Sequence, residues 1–202
     1  VNNHKSNNCI GSQTNLFGLS GKTRLSDLKI GDKILTYNRY TGELSMSTIY
    51  WIRVHEPTIH YKIETSSEDS FNLSPHHLVI LESNDYKETC QIKVGDRLLS
   101  SGNESIVTKI SMVEDTAMSP IVLDGTVVTP NSTILSCWSH DKDNADKMDS
   151  LMELIASYKN NYSIIQLSNI IESFYESFLE NDKDTKMIPT ILSQLNIPIV
   201  CK

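Results

Sequence analysis

A thiol, a hydroxyl and an imidazole in this sequence could together break a peptide bond. Cys9 follows a polar, Asn-rich leader, VNNHKSNN, and opens the first apolar run. A thiolate there can attack the carbonyl carbon of the preceding residue, Asn8, and turn the Asn8–Cys9 peptide bond into a thioester. That N-to-S acyl shift needs partial ionisation of the thiol, stabilisation of an oxyanion, and a proton for the departing Cys9 nitrogen. Histidine suits the last task because its pKa lies near neutral pH. Residues 73–79, LSPHHLV, hold two. Neighbouring residues on a strand point to opposite faces, so His76 and His77 cannot both face one site. Ser74, three residues before His77, offers a hydroxyl that could donate a hydrogen bond to the scissile peptide or help bend it.

These residues need a scaffold, and the patterning predicts a mainly β one. Short alternating or β-branched runs occupy Cys9–Phe17, Met46–Val54, His60–Thr65, Ser70–Leu81, Asp96–Ser100, Ser105–Val113, Gly125–Val128 and Thr133–Trp138. Turn signals such as Thr41-Gly42, Ser101-Gly102-Asn103 and Asp124-Gly125 separate them. Around SHDKDNAD (139–146) the composition turns polar, and the period then becomes helical. Met148, Leu151, Met152, Leu154 and Ile155 fit one helix; Ile164, Leu167, Ile171, Phe174 and Phe178 fit a second, with Ser163 as its cap. Such stripes are ordinary packing faces, although a lipid could also lie against them. The expected organisation is a leader (1–8), a β domain (9–145) and a helical C-terminal region (146–202).

The β part repeats. Ile30-Gly31-Asp32-Lys33-Ile34-Leu35 matches Val94-Gly95-Asp96-Arg97-Leu98-Leu99, with Lys29 and Lys93 preceding them. Leu73-Ser74-Pro75 likewise matches Val128-Thr129-Pro130. Two ordered matches at similar offsets predict two similar β subdomains about a pseudo-twofold axis. The first copy continues with His76-His77, the second with Asn131-Ser132. A histidine pair present in one copy only is not needed by the shared scaffold, which favours a role at a site.

Composition narrows the functions. The 202 residues carry a net charge of -7 with 39% hydrophobic residues, enough to bury a core. No basic block appears, so nucleic acid is not an expected partner. No apolar run approaches the roughly 18 residues of a membrane span. The four cysteines, Cys9, Cys90, Cys137 and Cys201, are too widely spaced for a zinc-finger pattern or a disulfide framework. The chain begins with Val1, as a processed piece or fragment would.

Taken in order, an opening Cys9, RLSDLKIGDKILTYN, LSMSTIYWI, FNLSPHHLV and SPIVLDGTVVTPNSTILSCWS resemble the C-terminal autoprocessing domain of hedgehog proteins, within the hedgehog/intein (Hint) family, over roughly 9–139. The resemblance implies a Hint fold of two β subdomains and places Cys9 on the nucleophile and His77 on the histidine of the family's TxxH element. Ser74 stands where the family usually has Thr, and Asn8 where hedgehog proteins have Gly. No His-Asn pair closes the β domain, so intein-type splicing is not expected. The resemblance implies instead that a hydroxyl nucleophile, cholesterol or another sterol, resolves the thioester as co-substrate, without cofactor or metal. The family's region after the β domain holds the sterol.

Hedgehog domains use an Asp as general base on the sterol. Its position here is Val54 without a gap or His55 with one. His55 is a candidate base, with Glu56 a weaker one; His55 could equally be an ordinary strand-end residue. Cys137 matches a cysteine that in the family can pair with the nucleophile, and it could equally be a buried thiol. The family context implies a monomer joined to its own upstream domain, folding in the secretory pathway and then extracellular or membrane-associated. Two other outcomes stay open: release by water or thiol without lipidation, and a non-catalytic Hint-like module that binds a partner or lipid.

Overall fold

The computed structural model describes residues 9–137, 156–157 and 159–174. The chain divides into two units, Val1–Ser139 and His140–Lys202. The expected leader (1–8) and the first expected helix, up to Ile155, lie outside the described residues.

The first unit is built of strands. In chain order they are β1 (Ile10–Gly11), β2 (Asn15–Gly18), β3 (Gly21–Arg24), β4 (Lys33–Tyr37), β5 (Leu44–Thr48), β6 (Trp51–Thr65) and β7 (Ser70–Leu73). There follow β8 (Leu78–Ile80), β9 (Tyr86–Glu88), β10 (Arg97–Leu98), β11 (Ser105–Ile121), β12 (Thr126–Val128) and β13 (Ile134–Ser136). One sheet runs β1-β7-β6-β11-β10, and β1 also pairs with β11, so its strands close on one another. A second sheet runs β3-β2-β4-β5, and β8–β9 and β12–β13 are hairpins. The mainly β expectation holds. Strands β3, β4 and β9 fall where no run was read: GKTR and YKE are polar, and KILTY was read only as part of the repeat.

The long antiparallel strands β6 and β11 form the spine. Their ladder slips between Thr116 and Met118: Thr116 pairs with Pro57 and Met118 with Val54, so His55 and Glu56 together oppose Ala117. Pro57, which has no N–H to give, is tolerated beside this bulge. The side chains of Ile10, Leu16, Leu25, Ile34, Ile63, Phe71 and Leu73 are fully buried and make the core. Each such burial is worth roughly 1.5–3 kcal/mol.

The repeat is reproduced at the level of hydrogen bonds. Gly31 and Gly95 take φ of 96° and 95°, the left-handed conformation that glycine adopts without penalty. The Lys29 and Lys93 amides donate to the Asp32 and Asp96 carboxylates, both at 2.8 Å. Gly31 N–H donates to the Ile49 carbonyl and Gly95 N–H to that of Val107, again both at 2.8 Å. In the second motif His77 N–H donates to the Ser74 carbonyl and Ser132 N–H to that of Thr129, both at 3.1 Å. The turn that carries His77 in one copy carries Ser132 in the other.

In the second unit one helix, α1 (Ile164–Phe174), is described. Ser163 caps it as expected. The Gln166 N–H donates to Ser163 Oγ at 3.2 Å, and the Ser163 N–H donates to Gln166 Oε1 at 2.9 Å, a reciprocal capping box. Leu167, Ile170 and Ile171 are buried, whereas Ile165 is exposed. Among the described residues no helix is long and apolar enough to cross a membrane.

Candidate active site

Cys9 immediately precedes β1, whose Ile10 pairs with Met118 on β11 and Leu73 on β7. This places Cys9 beside the end of β7, where Ser74 follows. The Cys9 N–H donates to Ser74 Oγ at 2.8 Å, and the Ser74 N–H donates to the Cys9 carbonyl at 3.0 Å. The nitrogen of the peptide bond in question is thus held by the hydroxyl picked out in the sequence. The hydroxyl accepts this bond rather than donating one as expected, because it meets the peptide's N–H.

The Cys9 thiol is fully buried, with its Sγ 3.2 Å from Ser119 Oγ. Burial pushes its pKa up to about 11, while the Ser119 hydrogen bond and the charge of Arg53 pull in the opposite direction. Arg53 lies across the ladder from Ser119. Neither Ser119 nor Arg53 was singled out in the sequence. Their relation to Cys9 is set by β11–β6 register, which no local motif encodes.

His77 is fully buried, and its segment is clamped. Its carbonyl accepts from Thr89 N at 2.9 Å and Thr89 Oγ1 at 2.8 Å. Its ring touches Ser136: Nε2 lies 3.0 Å from Ser136 Oγ, which donates its one hydrogen to the Leu78 carbonyl at 2.6 Å. The Ser136 oxygen must therefore accept from His77, so Nε2 carries a proton. In the neutral ring the buried Nδ1 then holds the lone pair, and in the imidazolium it holds the exchangeable proton. Ser136 was missed as well, although it sits in the quoted SCW segment directly before Cys137. His76 points the other way: it is exposed, with Nδ1 3.2 Å from Glu88 Oε2.

A buried carboxylate braces the start of the site. Asp115 accepts from Ser12 Oγ at 2.6 Å, Thr116 N at 2.7 Å, Asn72 Nδ2 at 2.8 Å and Gln13 N at 3.2 Å. Burial alone would raise its pKa, but these hydrogen bonds together hold it below the usual carboxylate value. Gly11 packs against it so closely that an added Cβ would lie 2.2 Å from Asp115 Oδ2. A second carboxylate, Asp69, does the same for the repeat turn, accepting from Thr129 Oγ1 at 2.5 Å, Thr133 Oγ1 at 2.7 Å and Asn131 N at 3.0 Å. Neither aspartate belongs to a recognisable local motif.

The other expected residues are placed as follows. His55 is half-buried in the β6 bulge, with exposed Val54 and Glu56 on either side. Cys137 is fully buried, and burial drives its pKa far above the ordinary thiol value. Cys9 and Cys137 are both free thiols. Asn8 lies outside the described residues.

A closed β scaffold built on a hydrogen-bonded repeat, with a buried thiol at its first residue, defines a Hint fold. The solved structures it resembles include a DnaB intein from Synechocystis sp. PCC 6803, with a TM-score of 0.58 and 12% identity over 65% of this chain and 99% of that one. They also include a bacterial intein-like domain from Clostridium thermocellum, with a TM-score of 0.57 and 20% identity over 64% of this chain and 98% of that one. The Hint module family model matches residues 3–162, and the chain belongs to that family of self-processing domains. No curated protein matches it.

Proposed function

We propose that this protein cleaves its own chain between Asn8 and Cys9. The Cys9 thiol passes its proton to the lone pair of His77 Nδ1, and the sulfur bonds to the Asn8 carbonyl carbon. The tetrahedral intermediate then collapses, and the C–N bond breaks as His77 Nδ1 gives a proton to the departing nitrogen. Ser74 holds that nitrogen in place beforehand. A hydroxyl acceptor, cholesterol or another sterol, next attacks the thioester. Its oxygen replaces sulfur on the Asn8 carbonyl, the leader leaves as an ester, and Cys9 departs as the thiolate. His55 takes the acceptor's proton. Each chain reacts once, in cis, in the secretory pathway.

One observation carries the cleavage step: the Cys9 N–H bonds to Ser74 Oγ at 2.8 Å, on the turn that bears His77. The sterol step draws its support from the hedgehog-like end segment and from His55, which with Val54 is one of the two residues that the family's base position can fall on here.

The test fuses a reporter domain upstream of Val1 and incubates the reduced protein alone, with dithiothreitol, and with cholesterol. Intact mass is read on the released fragment, with Cys9→Ala as the control. A fragment ending at Asn8 and heavier by one esterified sterol supports the full reading. Release by thiol or water alone keeps the Cys9–His77 step and removes the sterol. No release under any condition overturns self-cleavage. In the same assay His55→Ala should spare thiol-driven release and abolish the sterol-dependent product; equal loss of both removes His55 from the base role.

A further inference from the structure

Next to the active site, on the outer surface, three side chains of different chemistry converge. His76 Nδ1 lies 3.2 Å from Glu88 Oε2, and Cys90 Sγ lies 3.6 Å from the same oxygen. All three atoms fall within 4.8 Å of one another. Two stretches supply them: His76 precedes β8, while Glu88, which ends β9, and Cys90, in the short 3-10 turn Thr89–Gln91, follow one another. Backbone hydrogen bonds fix these stretches together. Glu88 pairs with Leu78 in the hairpin, Cys90 N–H donates to the Pro75 carbonyl at 2.8 Å, and Thr89 N–H donates to the His77 carbonyl at 2.9 Å.

Two of the three edges match a tetrahedral zinc shell, and the third, between His76 Nδ1 and Cys90 Sγ, is no longer than 4.8 Å. With Zn–N and Zn–O near 2.0–2.1 Å and Zn–S near 2.3 Å, tetrahedral geometry sets N and O about 3.3 Å apart and S and O about 3.5 Å apart. The separations here are 3.2 Å and 3.6 Å. A donor set of one imidazole, one carboxylate and one thiol suits zinc or cobalt, and suits magnesium or calcium poorly.

We propose that His76 Nδ1, Glu88 Oε2 and Cys90 Sγ form a binding site for a zinc-type divalent cation, with water as the fourth ligand. The thiol gives up its proton to solvent when the metal binds, so thiolate and carboxylate together neutralise the cation's two charges. The bound metal ties the segment before β8 to the turn after β9. Those are the two segments that hold His77, so the site lies against the active site without using any of its proposed catalytic groups.

The test uses the full chain with Cys9→Ala, which removes the active-site thiol and keeps the chain intact. Cobalt(II) is titrated in, and the thiolate-to-cobalt charge-transfer absorption is followed. The expected result is one equivalent bound, with the band bleached by added zinc. Cys90→Ser should abolish the band. His76→Ala and Glu88→Gln should each weaken binding by more than the roughly tenfold loss that follows removal of an outer-shell partner. Absence of the band in the parent, its persistence in Cys90→Ser, or unchanged affinity in His76→Ala overturns the proposal. A second measurement needs no change at the site. Alkylation of exposed Cys90, mapped by peptide mass, should slow severalfold with one equivalent of zinc, and equal labelling with and without zinc also overturns it.

Discussion

The backbone nitrogen of Cys9 and the hydroxyl of Ser74 form a buried 2.8 Å hydrogen bond, and the Ser74 N–H returns a bond to the Cys9 carbonyl at 3.0 Å. The pair pins the nucleophile's own backbone to the turn carrying His77. Removing the Ser74 hydroxyl would leave a buried N–H unsatisfied, which costs about 1–3 kcal/mol. Ser74→Ala is therefore expected to lower the urea midpoint and slow dithiothreitol-driven cleavage. Ser74→Thr, which keeps the acceptor oxygen, should cleave much closer to the parent rate. His77→Ala should lose roughly 100-fold or more in the same assay, the contribution typical of a positioned general acid. Cleavage of His77→Ala at the parent rate would remove His77 from the mechanism.

Cys9, Ser74 and His77 were legible because each belongs to a local signature: a thiol at the start of a domain, and a hydroxyl three residues before a histidine in a turn. The repeat was legible for the same reason, since Gly31 and Gly95 mark identical turns. Ser119, Arg53, Ser136 and Asp115 were not legible. Cys9 and Ser119 are 110 residues apart in sequence, and Ser12 and Asp115 are 103 apart. The meetings of Ser119, Arg53 and Asp115 with their partners depend on how β1 and β6 register against β11, a global property of the sheet. Ser136 reaches His77 only because β13 lies beside β8. The β6 bulge shows the same limit. Counting along the sequence from Ser47 could not decide between Val54 and His55, and the bulge falls at that point, with His55 and Glu56 sharing Ala117.

The buried thiol predicts a pH dependence of stability. Burial raises the Cys9 pKa from 9.0 to about 11, so the folded state holds this proton more tightly than the unfolded chain does. The resulting stabilisation is fully present below pH 9 and is lost as pH rises through about 11. Its size is on the order of 2 kcal/mol. Urea midpoints from pH 8 to 11 should fall more steeply for the parent than for Cys9→Ala, because Cys137 and Tyr50, whose pKa values are also raised, remain in both. Parallel curves would contradict the assigned shift.

Asp115 predicts the opposite dependence. Its hydrogen bonds hold its pKa below the ordinary 3.8, so its contribution is present above that pH and is lost as pH falls through the lower folded value. Asp115→Asn retains size but removes the charge and turns one acceptor into a donor. With Ser12, Gln13, Asn72 and Thr116 all donating to this group, the variant should lose roughly 1.5–3 kcal/mol at pH 7. The loss should shrink as the pH falls from 3.8 toward the lower folded value of Asp115. Thermal unfolding of both proteins from pH 7 down to pH 3 checks this, and a pH-independent difference would mean that the charge is not what matters.

Gly11 connects that carboxylate to the nucleophile. A Cβ built on Gly11 would fall 2.2 Å from Asp115 Oδ2 and 2.6 Å from Asn72 Cβ, both closer than atoms can approach. The Asp115 oxygen could retreat only by giving up hydrogen bonds, and Asn72 Cβ is fixed by the pairing of β7 with β6. Gly11→Ala must therefore shift β1 itself, at a cost of about 1–3 kcal/mol, the usual range for overpacking. Because Cys9 is two residues away on the same segment, the shift should loosen the bond between the Cys9 N–H and Ser74 and slow cleavage more than the stability loss alone explains. The decisive comparison is with a core variant such as Ile34→Val, whose buried side chain lies outside the site. Matched for residual stability, Gly11→Ala should cleave at least several times more slowly. Equal rates would show that β1 can move without disturbing the thiol, and that Asp115 serves the fold alone.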